Sequence, residues 1–215
     1  MAGTIQLGEN QTILFTGDSI TDCDHFEAAY RPFGNGYVHF AANYLLAKYP
    51  HLGLNIINTG INGNTTRDLL SRSRQDIVGR QPDILSVLIG INDIWRRYDS
   101  PNDPALAVYP DEYEYNYRQI LSLAKQNCDP QIVLMEPFLF CTDTNNTMFK
   151  GLPVYIDIVH KLAEEFEATL VPLQSRFDAI AGQVPPERWA DDMVHPFTWA
   201  HEWICQRWLE TTELS

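Results

Sequence analysis

Five short apolar runs, rich in β-branched residues, recur along the 215-residue chain at 12–16, 54–58, 83–89, 131–136 and 168–171. Runs of this length and type, bounded by turn residues, read as buried strands. The stretches between them, at 37–46, 66–78, 111–126 and 154–166, carry apolar residues at helical spacing, with Leu69, Leu70, Ile77 and Val78 facing inward. A last helix is predicted over 198–209. Strands joined by crossovers of this length return parallel to one another, so the pattern predicts a three-layer α/β/α sandwich around a parallel sheet. A loop with prolines at 101, 104 and 110 interrupts the alternation once. No repeat, low-complexity tract or linker divides the chain, which is read as one domain over 1–215.

Composition narrows the choice of partner. Apolar residues make up 45% and charged residues 20%, an ordinary globular balance. The formal charge of −13 repels nucleic acid and anionic membrane surfaces, so a neutral ligand such as a sugar or simple ester fits better. The first ten residues carry neither a basic region nor an apolar core of a secretory signal, and no stretch reaches the length of a membrane span. Cys23, Cys128, Cys141 and Cys205 are scattered without paired spacing and are read as reduced thiols of a cytoplasmic protein. His25, His39, His51, His160 and His201 show no ligand-like spacing, and no metal site is expected.

Chemistry gathers where strands end. The first run breaks into Gly17-Asp18-Ser19, the second into Asn58-Thr59-Gly60, and the third into Gly90-Ile91-Asn92-Asp93. In open α/β sheets, ligands bind outside these carboxyl ends. Ser19 alone is better explained as a helix cap than as a nucleophile. The distant pair Asp192 and His195, three residues apart, changes the weighing, because that spacing lets a carboxylate fold back onto an imidazole. Ser19, His195 and Asp192 then supply a nucleophile, a general base and an orienting carboxylate for acyl transfer. The backbone N–H groups of Ser19 and Gly60 and the Asn92 amide are the expected oxyanion donors.

These four blocks resemble those of the GDSL esterases of the SGNH hydrolase superfamily. The matching stretches are Gly17-Asp18-Ser19-Ile20, Asn58-Thr59-Gly60-Ile61-Asn62-Gly63-Asn64-Thr65, Gly90-Ile91-Asn92-Asp93 and Asp192-Met193-Val194-His195-Pro196. Their order and spacing agree over almost the whole chain. The resemblance implies a flavodoxin-like fold and a Ser-His-Asp hydrolase that uses no metal or organic cofactor. It also selects Asp192 over its neighbour Asp191 as the partner of His195. Gly34-Asn35-Gly36-Tyr37-Val38, Gly63-Asn64-Thr65-Thr66-Arg67-Asp68-Leu69 and Asn92-Asp93-Ile94-Trp95-Arg96-Arg97-Tyr98 are similar to one branch, the intracellular bacterial deacetylases of acetylated xylo-oligosaccharides. The loop over 24–33, with His25, Phe26 and Arg31, departs from that branch and makes the substrate the open question. That branch also suggests a homo-oligomer.

Trp95, Tyr98, Asp18 and Asn64 are the candidate substrate contacts, although an aromatic ring after a turn also serves as core. Trp189 and Trp199 flank the Asp192–His195 turn and could pack either the loop or a substrate. Cys23 lies near Ser19, but nothing cationic adjoins it in sequence to make a nucleophile. Glu112, Glu114 and Glu136 offer the carboxylates of a glycosidase, yet a helix face and a strand end explain them more simply. The expected activity is removal of acetyl groups from short carbohydrates through an acyl-serine intermediate. A lipase or thioesterase acting on longer acyl chains is the alternative within the same chemistry. A non-catalytic ligand-binding module is the alternative outside it.

Overall fold

The computed structural model describes residues 5–99, 103 and 105–214; the prolines at 101 and 104 and the first four residues lie outside them. All five apolar runs form strands: β1 (Thr12–Gly17), β2 (Asn55–Asn58), β3 (Ile84–Leu88), β4 (Gln131–Met135) and β5 (Thr169–Val171). Every pairing is parallel, and the order across the sheet is β2-β1-β3-β4-β5. This is the flavodoxin-like order. β3 is buried at all five positions, as its unbroken apolar composition requires of a strand covered on both faces.

Two helical layers cover the sheet. On one face α2 (Tyr37–Lys48) packs beside α8 (Thr198–Thr212); on the other α3 (Thr66–Asp76), α5 (Pro110–Asn127) and α6 (Thr147–Glu165) lie side by side. Short helices α1 (Ser19–Asp22), α4 (Ile91–Asp99) and α7 (Leu173–Asp178) follow β1, β3 and β5. Of the four inward positions predicted for α3 and its extension, Leu69 and Ile77 are buried, while Leu70 and Val78 are only half-buried.

The layers meet the sheet through large aromatic side chains. Trp208 of α8 is fully buried, with its ring 5.2 Å from Phe15 of β1. Its Nε1–H donates to Ser86 Oγ of β3 at 3.0 Å, and Ser86 lies opposite Phe15 in the ladder. On the other face the Tyr113 hydroxyl of α5 donates to the Ile89 carbonyl, and the Tyr113 ring packs edge-on against Tyr155 of α6.

Three elements differ from the pattern read in the sequence. The chain enters α4 directly after Gly90, so Asn92 and Asp93 lie in a first helical turn rather than an open turn. Helix α6 begins at Thr147, ahead of Pro153, because Asn146 caps it by accepting from Phe149 N–H at 3.1 Å. Pro153 lies on the exposed side, where solvent can meet the carbonyl left without an N–H. Helix α7 and the buried segment 138–141 had no periodic signal, being too short to show one.

The Trp208 contact joins two layers through one ring and one hydrogen bond. Trp208→Ala is expected to lower unfolding free energy by about 3–5 kcal/mol, measured from urea midpoints at unchanged m.

Candidate active site

β1 pairs with β2 on one side and β3 on the other, so the crossovers leaving β1 and β3 open a crevice at the carboxyl end of the sheet. The strands approach so closely there that a Cβ on Gly17 would lie 2.1 Å from the Leu88 carbonyl oxygen. Glycine is therefore required immediately before the Ser19 turn. Asp18, not Ser19, caps α1: its carboxylate accepts from Ile20 N–H at 3.1 Å. Ser19 is the first helical residue, and its hydroxyl is left to face the crevice.

Ser19 Oγ–H donates to His195 Nε2 at 2.9 Å, and His195 Nδ1–H donates to Asp192 Oδ2 at 2.6 Å, taking the tautomer that the network fixes. The other oxygen of Asp192 accepts from the backbone N–H groups of Val194 and His195, at 2.9 and 2.8 Å. Met193, with φ at 68°, makes the left-handed step that turns both N–H groups inward. Burial pushes the Asp192 carboxyl up, but the His195 backbone, the imidazole and Val194 outweigh it and hold the group below its ordinary value. Among the described residues, the only carboxylate bonded to His195 is Asp192, not its neighbour Asp191.

The 190–196 turn is held from below. An isolated bridge joins Ala190 to Pro196, and Phe140 N–H donates to the Met193 carbonyl at 2.9 Å. Buried Trp189 stacks on Phe140 and meets Trp199 at 4.5 Å between ring centres. Trp189 thus packs the loop, whereas Trp199 keeps an exposed face.

The remaining predicted residues separate into two groups. Trp95 is half-buried, with its ring 6.0 Å from the His195 imidazole. Asn92 is buried, and its Nδ2 donates one hydrogen to the Asn64 carbonyl at 3.1 Å, leaving the second free for a ligand. Others turn away from the crevice. Asp18 is 1% exposed and engaged as a cap, so it offers a substrate nothing. The Asn64 side-chain oxygen accepts from Arg72 Nε at 2.7 Å, and its backbone carbonyl accepts from Asn92, so Asn64 holds Asn92 in place. The Tyr98 hydroxyl lies where a Cβ on Gly151 would meet it at 2.7 Å, which places the ring against α6.

Gly60 also requires correction. Its N–H donates to Asn58 Oδ1 at 2.9 Å, closing an Asx turn, and is not directed to the crevice. Glycine is needed because a Cβ would lie 2.3 Å from Asp22 N, where the loop presses on α1. The sequence reading passed over Gly63, which sits at φ 77° between Asn62, a wall of the Ser19 cavity, and Asn64, the support of Asn92. Among the described residues no acceptor meets the Gly63 N–H. A second glycine in Asn62-Gly63-Asn64 was the available signal.

Cys23 lines the same cavity, where burial and then Asp22 and Asp24 push its thiol up to about 12. Its neighbour His201, 3.4 Å away, is brought down to about 4 by burial and by His195, so the imidazole is neutral and cannot activate the sulfur. Glu112 pairs with Arg67, and Glu114 with Arg118 and Lys161. Glu136 is buried, bonded to His160 Nε2 and Gln174 N–H.

The family pattern described as GDSL-like Lipase/Acylhydrolase matches residues 15–203. The chain belongs to that family. It is accordingly a carboxylic ester hydrolase. An acetylxylan esterase from Geobacillus stearothermophilus is 36% identical over 209 residues, 95% of each chain. The crystal structure of Axe2, an acetylxylan esterase from the same organism, has 35% identity and a TM-score of 0.90, covering 97% of this chain and 96% of that one. Three solved variants of Axe2, with a serine, an aspartate or a histidine replaced by alanine, are described as catalytic mutants. LAE5, an α/β hydrolase from the metagenome of Lake Arreo, is 31% identical with a TM-score of 0.89, covering 96% and 97%. Among the described residues, no helix is long and apolar enough to cross a membrane.

Beneath the crevice lie two buried carboxyls. Burial raises Asp93 to about 7 against the pull of the Thr66 hydroxyl, 2.5 Å away, and of Thr66 N–H. Burial likewise raises Asp18 to about 7, with the Ile20 N–H opposing and Asp93 adding to the rise. A carboxyl raised from 3.8 to about 7 on folding binds its proton more tightly in the native state, so its contribution to stability is lost as pH rises through about 7. Asp93→Asn lacks that loss. The melting-temperature difference, variant minus wild type, is expected to grow by at least about 3 °C between pH 5 and pH 8.

Proposed function

We propose that the enzyme removes O-acetyl groups from short acetylated carbohydrates of the xylo-oligosaccharide type, with Ser19, His195 and Asp192 as its catalytic triad. The observation that carries this reading is the continuous bonded path from Asp192 through His195 to Ser19 at the mouth of the sheet crevice. The similarity to acetylxylan esterases supports the substrate class.

His195 Nε2 takes the Ser19 hydroxyl proton as Oγ bonds to the acetyl carbonyl carbon, and the carbonyl π electrons move onto oxygen. That oxygen is held by the N–H groups of Ser19 and Gly63 and by the second hydrogen of the Asn92 amide. Collapse breaks the bond to the sugar oxygen, which receives the proton from His195. Water then gives its proton to His195 and attacks the acyl carbon; acetate leaves as Ser19 regains its proton. Asp192 keeps Nδ1 protonated and stabilises the imidazolium at both steps.

The cavity at Ser19 measures about 200 Å3 and has Asn35, Asn62 and two aspartates in its wall. Its polarity favours a hydroxylated alcohol moiety over a long acyl chain. Trp95 supplies a ring face beside His195 for a sugar. A cytoplasmic location is supported by the four free thiols, and self-association by the exposed faces of Phe26, Phe197 and Trp199.

Ser19→Ala and His195→Ala should each lower kcat for 4-nitrophenyl acetate and for acetylated xylo-oligosaccharide by at least about 10³-fold, with unchanged circular dichroism. Asn92→Ala should lower kcat by about 10²-fold with little change in KM. Full activity in a folded Ser19→Ala protein would exclude the mechanism. A rate optimum at octanoyl rather than acetyl esters would exclude the substrate class.

A further inference from the structure

Part of the wall of the Ser19 cavity is formed by the turn that ends α1. Two consecutive residues there, Cys23 and Asp24, adopt left-handed backbone, with φ of 40° and 60°. The turn is clamped by the segment after the 24–33 loop: Asn35 N–H donates to the Cys23 carbonyl at 2.9 Å. A Cβ on Gly34 would lie 2.6 Å from that same carbonyl oxygen. Non-glycine residues held in this region are costly and persist only where surrounding structure fixes them. The result is that Asp24, an exposed residue, lines the cavity of the nucleophile.

The two aspartates of that wall are not equivalent. Asp22 has both oxygens engaged, one with His25 Nδ1 at 2.9 Å and one with Asn62 N–H at 2.9 Å. Asp24 receives only a 3.4 Å approach from Asn35 Nδ2 on one oxygen, and among the described residues no basic side chain pairs with it. Among the described residues, no lysine or arginine lines the cavity. An ester seated with its carbonyl at Ser19 therefore meets an acceptor-only, negatively charged group with open lone pairs.

We propose that Asp24 is the specificity residue for the alcohol part of the substrate. It accepts hydrogen bonds from hydroxyls neighbouring the acetylated position and rejects esters whose alcohol part is anionic. A carboxylate can take two hydroxyls of one sugar ring at once, whereas a phosphate or uronate brought to the same place meets like charge with no lysine or arginine among the lining residues to offset it. The inference rests on the esterase reading above and sharpens it from acetylated carbohydrates to neutral acetylated polyols.

The test compares acetate release from two O-acetylated methyl glycosides that differ only in charge, a uronic acid and its uronamide. Wild type, Asp24→Asn and Asp24→Gly are assayed; asparagine and glycine both accept the left-handed backbone, so neither variant strains the turn. Wild type is expected to favour the uronamide by about tenfold in kcat/KM, and both variants to bring the ratio within about twofold. Raising the salt to about 0.5 M should narrow the wild-type ratio, as screening of an exposed charge requires. Asp24→Gly should also raise KM for the uronamide more than for 4-nitrophenyl acetate, which has no hydroxyls to lose. A wild-type ratio near one, or a ratio that persists in both variants while 4-nitrophenyl acetate is still hydrolysed, would overturn the role of Asp24 alone. Wild-type protein that is folded and inert toward 4-nitrophenyl acetate would overturn the esterase reading and this inference with it.

Discussion

Strand β1 is paired along both edges, with β2 on one side and β3 on the other, so the connections leaving β1 and β3 must diverge at one end of the sheet. The crevice between them is a consequence of parallel topology and not of any one side chain. Ser19 reaches it because Gly17 lets β1 run tight against Leu88 before the chain turns. Asn92 reaches it because α4 begins directly after β3. Both positions are thus fixed by buried strands, and Ser19 and Asn92 inherit the rigidity of the core.

His195 has no strand to fix it. Its turn is 176 residues from Ser19 and is seated on packed aromatic rings, Trp189 above Phe140 and Phe177, with a backbone bond from Phe140 to Met193. Within the turn, Asp192 serves two purposes with two oxygens. One shapes the backbone by accepting from Val194 and His195, and the other orients the imidazole. The carboxylate that orients the His195 imidazole is also what folds the loop carrying it.

Polar groups near the crevice divide by whether their bonds are already satisfied. Asp18, Asp22, Asn58 and Asn64 are bonded inward and serve the architecture of the loops. Ser19, the second hydrogen of Asn92, the Gly63 N–H and Asp24 remain for a ligand. Asp22, Asp24, Asn35 and Asn62 give the cavity at Ser19 a largely polar lining. That partition is what makes a hydroxylated alcohol a better occupant than an acyl chain.

By itself the sequence determined the five strands, the parallel α/β/α arrangement and the grouping of Ser19 with His195 and an aspartate just before it, the family resemblance choosing Asp192 over Asp191. Those features are written as local periodicity, strand-ending glycines and short spacings, all of which survive as one-dimensional patterns. Where helix signals were short or interrupted, as at α7 and across Pro153, burial and capping decided instead. Only the tertiary structure decided which donors remain free. Gly60 and Gly63 are alike as letters, but the Asn58 side chain takes the N–H of the first and no acceptor among the described residues meets the second. Asp18 and Asp24 likewise flank one short helix, yet the first is buried as a cap and the second opens onto the cavity. Sequence spacing says which residues are neighbours along the chain; a hydrogen bond depends on angles and distances between segments far apart in it, and these exist only once the chain has folded.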